Sequence, residues 1–116
     1  MEKYAAVWTI IANRFKDYDE HLIFESMNEV TCSVAEQNMW NESGMSYDRD
    51  ILKSFNQLFV NTVRGTGGNN TKRWLASAGH FASSGRIDMP VDPCNNGLTH
   101  QMFAAHIYNS MDNILY

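Results

Sequence analysis

His21-Leu22-Ile23-Phe24-Glu25-Ser26-Met27-Asn28-Glu29-Val30 is the stretch on which the fold turns. It is a short apolar run that ends in polar residues. Its large side chains at consecutive positions do not suit a strand with one wet face. They suit a parallel strand covered on both sides, whose carboxy-terminal end is left to carry function. Period-2 geometry puts Ile23, Glu25, Met27 and Glu29 on one face of that strand.

Upstream, Tyr4, Trp8, Ile11 and Phe15 recur at spacings of four, three and four, the signature of an amphipathic helix, with Val7 and Ile10 widening the same stripe. Asp17-Tyr18-Asp19 ends that helix in a polar turn. Downstream, the polar residues from Thr31 to Tyr47 form a long connection containing Trp40. A second helix follows, capped by Ser46 or Asp48, with Ile51, Phe55, Leu58 and Thr62, joined by Leu52 and Phe59, as its apolar face. Arg64 and then Gly65-Thr66-Gly67-Gly68 stop it, because glycine accepts the left-handed conformation of a helix end. Trp74 to His80 reads as a second strand and residues 81–97 as a loop, with Pro90, Pro93 and Asn95-Asn96-Gly97 as turn signals. Gln101 to Tyr108 reads as a third strand with Met102, Ala104, His106 and Tyr108 on one face. The order of helix, strand, helix, strand, loop and strand is the α/β progression that builds parallel sheets. A complete (β/α)8 barrel needs about 250 residues, and the chain has 116. It reads as a partial barrel, one middle slice that begins inside a helix.

Composition narrows the class. The chain carries 13 acidic and 9 basic residues, a formal net charge of −4, and is 44% hydrophobic. That is enough apolar mass for one small core. The acidic balance argues against a nucleic-acid partner, which calls for a basic face. No run approaches the roughly 18 apolar residues of a membrane span, so no membrane is expected, and Met1-Glu2-Lys3-Tyr4 lacks the pattern of a secretory signal. Cys32 and Cys94 stand 62 positions apart without a C-x-x-C pair. They read as two buried thiols or, outside the cell, as one disulfide. No metal site and no cofactor is expected: His21, His80, His100 and His106 form no short ligand pair. The Asn41-Glu42-Ser43 and Asn69-Asn70-Thr71 glycosylation triplets carry no weight, since such triplets recur by chance.

In parallel α/β folds the active site gathers at the carboxy-terminal ends of the strands. Here those ends present Asn28-Glu29, Gly79-His80 and His106 with Tyr108. A carboxylate, an imidazole and a phenol on one rim suit glycoside hydrolysis or another general acid–base task. The alternative on spacing alone is that Glu29 is a surface acid and that His106 and Tyr108 are satisfied core-edge residues.

Trp8 to Tyr18 running into His21 to Glu29, Phe55 to Arg64 continuing through Thr66-Gly67-Gly68-Asn69-Asn70 to Arg73, Met89-Pro90-Val91-Asp92, and His106-Ile107-Tyr108 together resemble glycoside hydrolase family 5, the endoglucanase-type cellulases. The resemblance covers nearly the whole chain, in order. It implies that the chain is a single partial catalytic domain, residues 1–116, holding about strands four to six of the barrel with the preceding helix. It also implies an extracellular setting and a β-linked glucan as substrate. By the same resemblance Glu29 matches the general acid/base, and Asn28 the asparagine that hydrogen-bonds the sugar at the scissile bond. His106 and Tyr108 match the pair that orients the catalytic groups and the sugar. Trp40 matches an aromatic of the loop after strand four, where it packs the loop or stacks on sugar.

The departures are Val30 where the family usually has proline, Ala78-Gly79-His80 where it often has Pro-Gly-Tyr, and Asn109-Ser110-Met111 in place of a stretch of small residues and proline. The family's nucleophile, a glutamate of strand seven, has no counterpart among the 116 residues, nor have the first three strands. Glu25 cannot replace it: four residues before Glu29, it lies roughly 13 Å away at about 3.3 Å per residue, whereas a retaining pair sits about 5–5.5 Å apart. Two further readings stand beside the hydrolase. One is an inactive barrel slice that self-associates through open strand edges. The other is a metal-binding protein using Glu29, His80 and His106.

Overall fold

The computed structural model describes residues 1–28, 42–78 and 100–104. Helix α1 spans Glu2–Arg14. Its first turn is closed by the Ala5 N–H donating to Met1 O at 3.0 Å, and its last by the Phe15 N–H donating to Ile11 O at 3.1 Å. Trp8 and Ala12 are its buried residues, and Tyr4, Ile11 and Phe15 pack at the margin of the same core. Val7 and Ile10 do not widen this stripe. They are 53% and 70% exposed. At about 100° per residue, Ile10 lies roughly opposite Trp8.

Strand β1 is Phe24–Glu25, shorter than the stretch 21–30 that the sequence suggests. Helix α2 spans Glu42–Gly65, then comes a 3-10 turn, Gly68–Thr71, and strands β2 (Leu75–Ala78) and β3 (Gln101–Ala104). The three strands form one parallel sheet in the order β1-β2-β3, with Phe24 opposite Leu75, and Leu75 opposite Gln101. Phe24 and Ser26 are buried while Ile23 and Glu25 are exposed, so the alternation of faces holds through Met27, but the strand has one wet face and not the two covered faces its bulky run suggests, because the helices cover only the Phe24 side. Residues 79, 80 and 105–108, the outer parts of the two later predicted strands, lie outside the described residues, as does the 81–97 loop.

Helix α2 begins earlier than its sequence reading. Glu42–Tyr47 is helical, so Ser46 and Asp48 stand inside the helix and not at its start. That segment is polar but contains no proline and one glycine. Once the rest of α2 is nucleated by packing, each added turn costs little. The buried centre of α2 is also rotated. Leu52 and Phe59 belong to it, together with Asn56, Val60, Val63 and Arg64, whereas Ile51, Phe55, Leu58 and Thr62 are half-buried at its margin. The rotation follows from Asn56 and Arg64: both are polar, yet both find hydrogen-bond partners inside the protein. The helix ends at glycine as expected, with the left-handed conformation carried by Gly67 (φ 74°) and Gly68 (φ 59°).

The core is the contact between the helices and one face of β1 and β2. Trp8 meets Phe59 edge-on with ring centroids 4.5 Å apart, and Phe24 at 5.6 Å. Ala12, Val60, Val63 and Leu75 complete the cluster. The helices therefore cover one face of the sheet and orient the strand ends that follow.

Candidate active site

Parallel strands present all their carboxy-terminal ends on one side, and at β1 that end is Ser26-Met27-Asn28. Ser26 is buried and held from three elements. Its N–H donates to Ala76 O of β2 at 2.9 Å. Its carbonyl accepts from the Tyr4 hydroxyl of α1 at 3.2 Å. Its own hydroxyl donates to Asn56 Oδ1 of α2 at 2.6 Å. Two residues further on, Asn28 is exposed, at the rim where the sequence places it. Glu29, Trp40, His106 and Tyr108 lie outside the described residues, as do His80, Cys32 and Cys94. Glu25 stands exposed on the face of β1 turned away from Phe24 and the helices.

The opposite end of the sheet is built differently, and sequence reasoning missed it. Arg73, only 1% exposed, precedes β2. Its Nε donates to Asn70 Oδ1 at 2.8 Å. Its Nη1 donates to Asp19 O and Leu22 O at 2.8 and 2.7 Å, and its Nη2 to Phe15 O and Tyr18 O at 3.1 and 2.6 Å. Five N–H groups meet five acceptors, which is the full capacity of a guanidinium. Four of those acceptors are carbonyls just past the end of α1, where the helix dipole is negative. The ring of Phe24 lies 4.8 Å below the cation. Burial pulls the Arg73 pKa down and the negative charge of Asp19 opposes that.

Asn70 is fully buried, donates to Ala12 O and Thr66 Oγ1 at 2.8 Å and accepts from Arg73. Arg64 extends the network, with Nη1 donating to Asn70 O and Arg73 O at 2.6 and 2.8 Å, and Nη2 to His100 O at 3.3 Å. The only sequence signal for this network is Asn69-Asn70 followed by Arg73 within the family-like stretch.

A cleft of about 380 Å³ opens beside this network, lined by Asp19, Glu20, Lys72, Trp74 and His100 among others. It sits at the amino-terminal ends of β2 and β3, the end opposite Asn28. Among the described residues no group of three or more His, Cys, Asp or Glu could hold a metal ion. Among them, too, no helix is long and apolar enough to cross a membrane.

The sequence matches the family Cellulase (glycosyl hydrolase family 5) over residues 1–115. The chain belongs to glycosyl hydrolase family 5. It is 41% identical over 107 residues to Endoglucanase A of Ruminococcus albus, an alignment covering 92% of this chain and 29% of that protein. A family 5 lichenase from Caldicellulosiruptor sp. F32 superposes with a TM-score of 0.82 at 32% identity, over 90% of this chain and 30% of the lichenase. A broad-specificity endoglucanase from Ruminococcus champanellensis, solved with bound cellotriose, gives a TM-score of 0.76 at 42% identity, over 90% and 30% of the two chains. The 116 residues thus span less than a third of the length of these relatives. Solved family 5 structures place the small parallel sheet within a TIM-barrel family.

Proposed function

We propose that this chain contributes the acid/base half of a retaining hydrolase of β-linked glucans, with Glu29 as the acid/base and β1, β2 and β3 as about strands four to six of the barrel. The observation that carries the reading is Asn28 at the carboxy-terminal rim of β1, in a chain of this family, one residue before a glutamate. The protonated Glu29 carboxyl gives its proton to the glycosidic oxygen as the bond from that oxygen to C1 breaks, while a carboxylate nucleophile forms an ester to C1. Glu29, now ionised, takes a proton from the water that displaces the ester, and the configuration at C1 is retained. The nucleophile, about 5–5.5 Å from Glu29, is assigned to a strand outside these 116 residues. Asn28 binds the sugar at the scissile bond, His106 and Tyr108 orient the sugar and the carboxyls, and Trp40 packs or stacks in the loop after β1. No cofactor takes part. An extracellular setting goes with a polymeric substrate. The test is release of reducing ends from a soluble β-glucan by a family 5 barrel that carries these 116 residues and supplies the nucleophile strand, and its loss in Glu29→Gln; turnover that survives this substitution rejects the assignment.

A second reading is favoured by the exposed apolar side chains. Val7, Ile10 and Ile23 are 53%, 70% and 46% exposed, and β1 and β3 are the outer strands of the described sheet. In this reading the chain is an inactive slice that self-associates through its strand edges and holds glucan weakly. Light scattering decides: a monomer at tens of micromolar rejects self-association.

A further inference from the structure

Ser26 is tied more heavily than a two-residue strand requires. The paired register of β1 ends at Glu25 opposite Ala76, and Ser26 then receives one bond from each neighbouring element: Ala76 on its N–H, Tyr4 on its carbonyl, and Asn56 on its hydroxyl. The Ser26–Asn56 bond is the shortest of the three, is buried, and joins residues 30 apart in sequence. A short bond between two buried side chains fixes both rotamers, because breaking it would strand a polar atom away from water. Asn28 follows two residues later, within about 7 Å of chain at 3.3 Å per residue.

We infer that Ser26 and Asn56 are positioning residues that fix the strand end carrying Asn28 against α2, so that the sugar-binding amide is held ready before substrate arrives. Neither touches the sugar. They act by removing freedom from the strand end, and placement of site groups to a fraction of an ångström is what such supports supply. The inference rests on the reading of Asn28 given above.

The test uses the 116-residue chain with cellotriose as probe. Calorimetry reads its affinity at a temperature where circular dichroism shows every variant folded. Ser26→Ala and Asn56→Leu are each expected to weaken cellotriose binding about fivefold or more, the scale of one buried hydrogen bond. Ser26→Thr, which keeps the hydroxyl, is expected to retain the affinity. If Ser26→Ala lowers only the melting temperature, and affinity stays as in the wild type, the pair is a packing contact and the inference falls while the function stands. If the wild type itself does not bind cellotriose, the reading of the site falls and the inference with it. The Asn56→Leu arm keeps the test decisive should Ser26→Ala fail to fold.

Discussion

The two ends of the sheet solve opposite problems. At the amino-terminal end, Arg73, Asn70 and Arg64 bury their polar groups and match them to carbonyls of the α1–β1 turn, the segment before β2 and His100. At the carboxy-terminal end, Ser26 is anchored, but two residues later Asn28 stands in solvent. One end turns most of its polar groups to internal partners, though His100 Nδ1 and Gln101 Nε2 are buried there without one, and the other ends in an exposed amide. In barrel folds this is the division between a stabilising face and a catalytic face. The cleft beside His100 belongs to the first of these ends, so its size says nothing about where the sugar goes.

Breaking each end should therefore have a different readout. The largest effect is expected at the amino-terminal end: Arg73→Met removes five hydrogen bonds, although Phe15 O, Tyr18 O and Asp19 O each keep a second donor, and should cost about 3–5 kcal/mol, the scale of breaking a buried charged network. Urea unfolding checks this, and a loss under about 1 kcal/mol would show that water replaces the guanidinium. Phe59→Ala removes the ring against Trp8 between the two ends and should cost about 3–4 kcal/mol with no selective effect on either.

At the rim end Ser26→Ala should cost only about 1 kcal/mol of stability, yet weaken cellotriose binding as described. A loss of affinity beside a stability loss of only about 1 kcal/mol is the signature that distinguishes this end. Tyr4, whose hydroxyl bonds Ser26 O, has its pKa pushed up to about 12 by burial. The neutral phenol is the form the fold favours. Its contribution is therefore intact below the ordinary tyrosine pKa near 10 and is lost as pH rises through about 12. Alkaline unfolding monitored by circular dichroism should become shallower above pH 10 in Tyr4→Phe.

The smallest effect is expected at Asp19, an exposed residue whose pKa is held low chiefly by the His21 backbone N–H, with the His21 ring 3.0 Å away helping. A depressed carboxyl stabilises above its unfolded pKa and loses that contribution as pH falls through the folded value. His21→Ala should move the Asp19 titration upward only in part, since the backbone donor remains.

Much of the fold could be read from the sequence because apolar spacing carries it. Trp8 and Ala12 lie on the buried side of a helix whose period is visible, and Phe24 is buried in the apolar run that marks the first strand, although the bulk of that run suggests two covered faces where one is exposed. What escaped reading is polar burial. Asn56, Arg64, Asn70 and Arg73 count as surface residues by type, and only their partners, some of them more than fifty residues away, reveal them as core. The same blindness moved the centre of α2. For the site, the structure shows only that Asn28 is exposed just past β1. The roles of Asn28, Glu29, Trp40, His106 and Tyr108 rest on family resemblance, the last four because they lie outside the described residues.

Arg73 also bears on the order in which the molecule assembles. Its bonds to Phe15, Tyr18, Asp19 and Leu22 close loops of 51 to 58 residues, so the turn between α1 and β1 has no lock of comparable strength until α2 has formed and the chain has returned along it. The entropy of closing such loops is spent before the bonds repay it. Folding of this unit should therefore be all-or-none, with the first turn among the last segments to gain protection from hydrogen exchange.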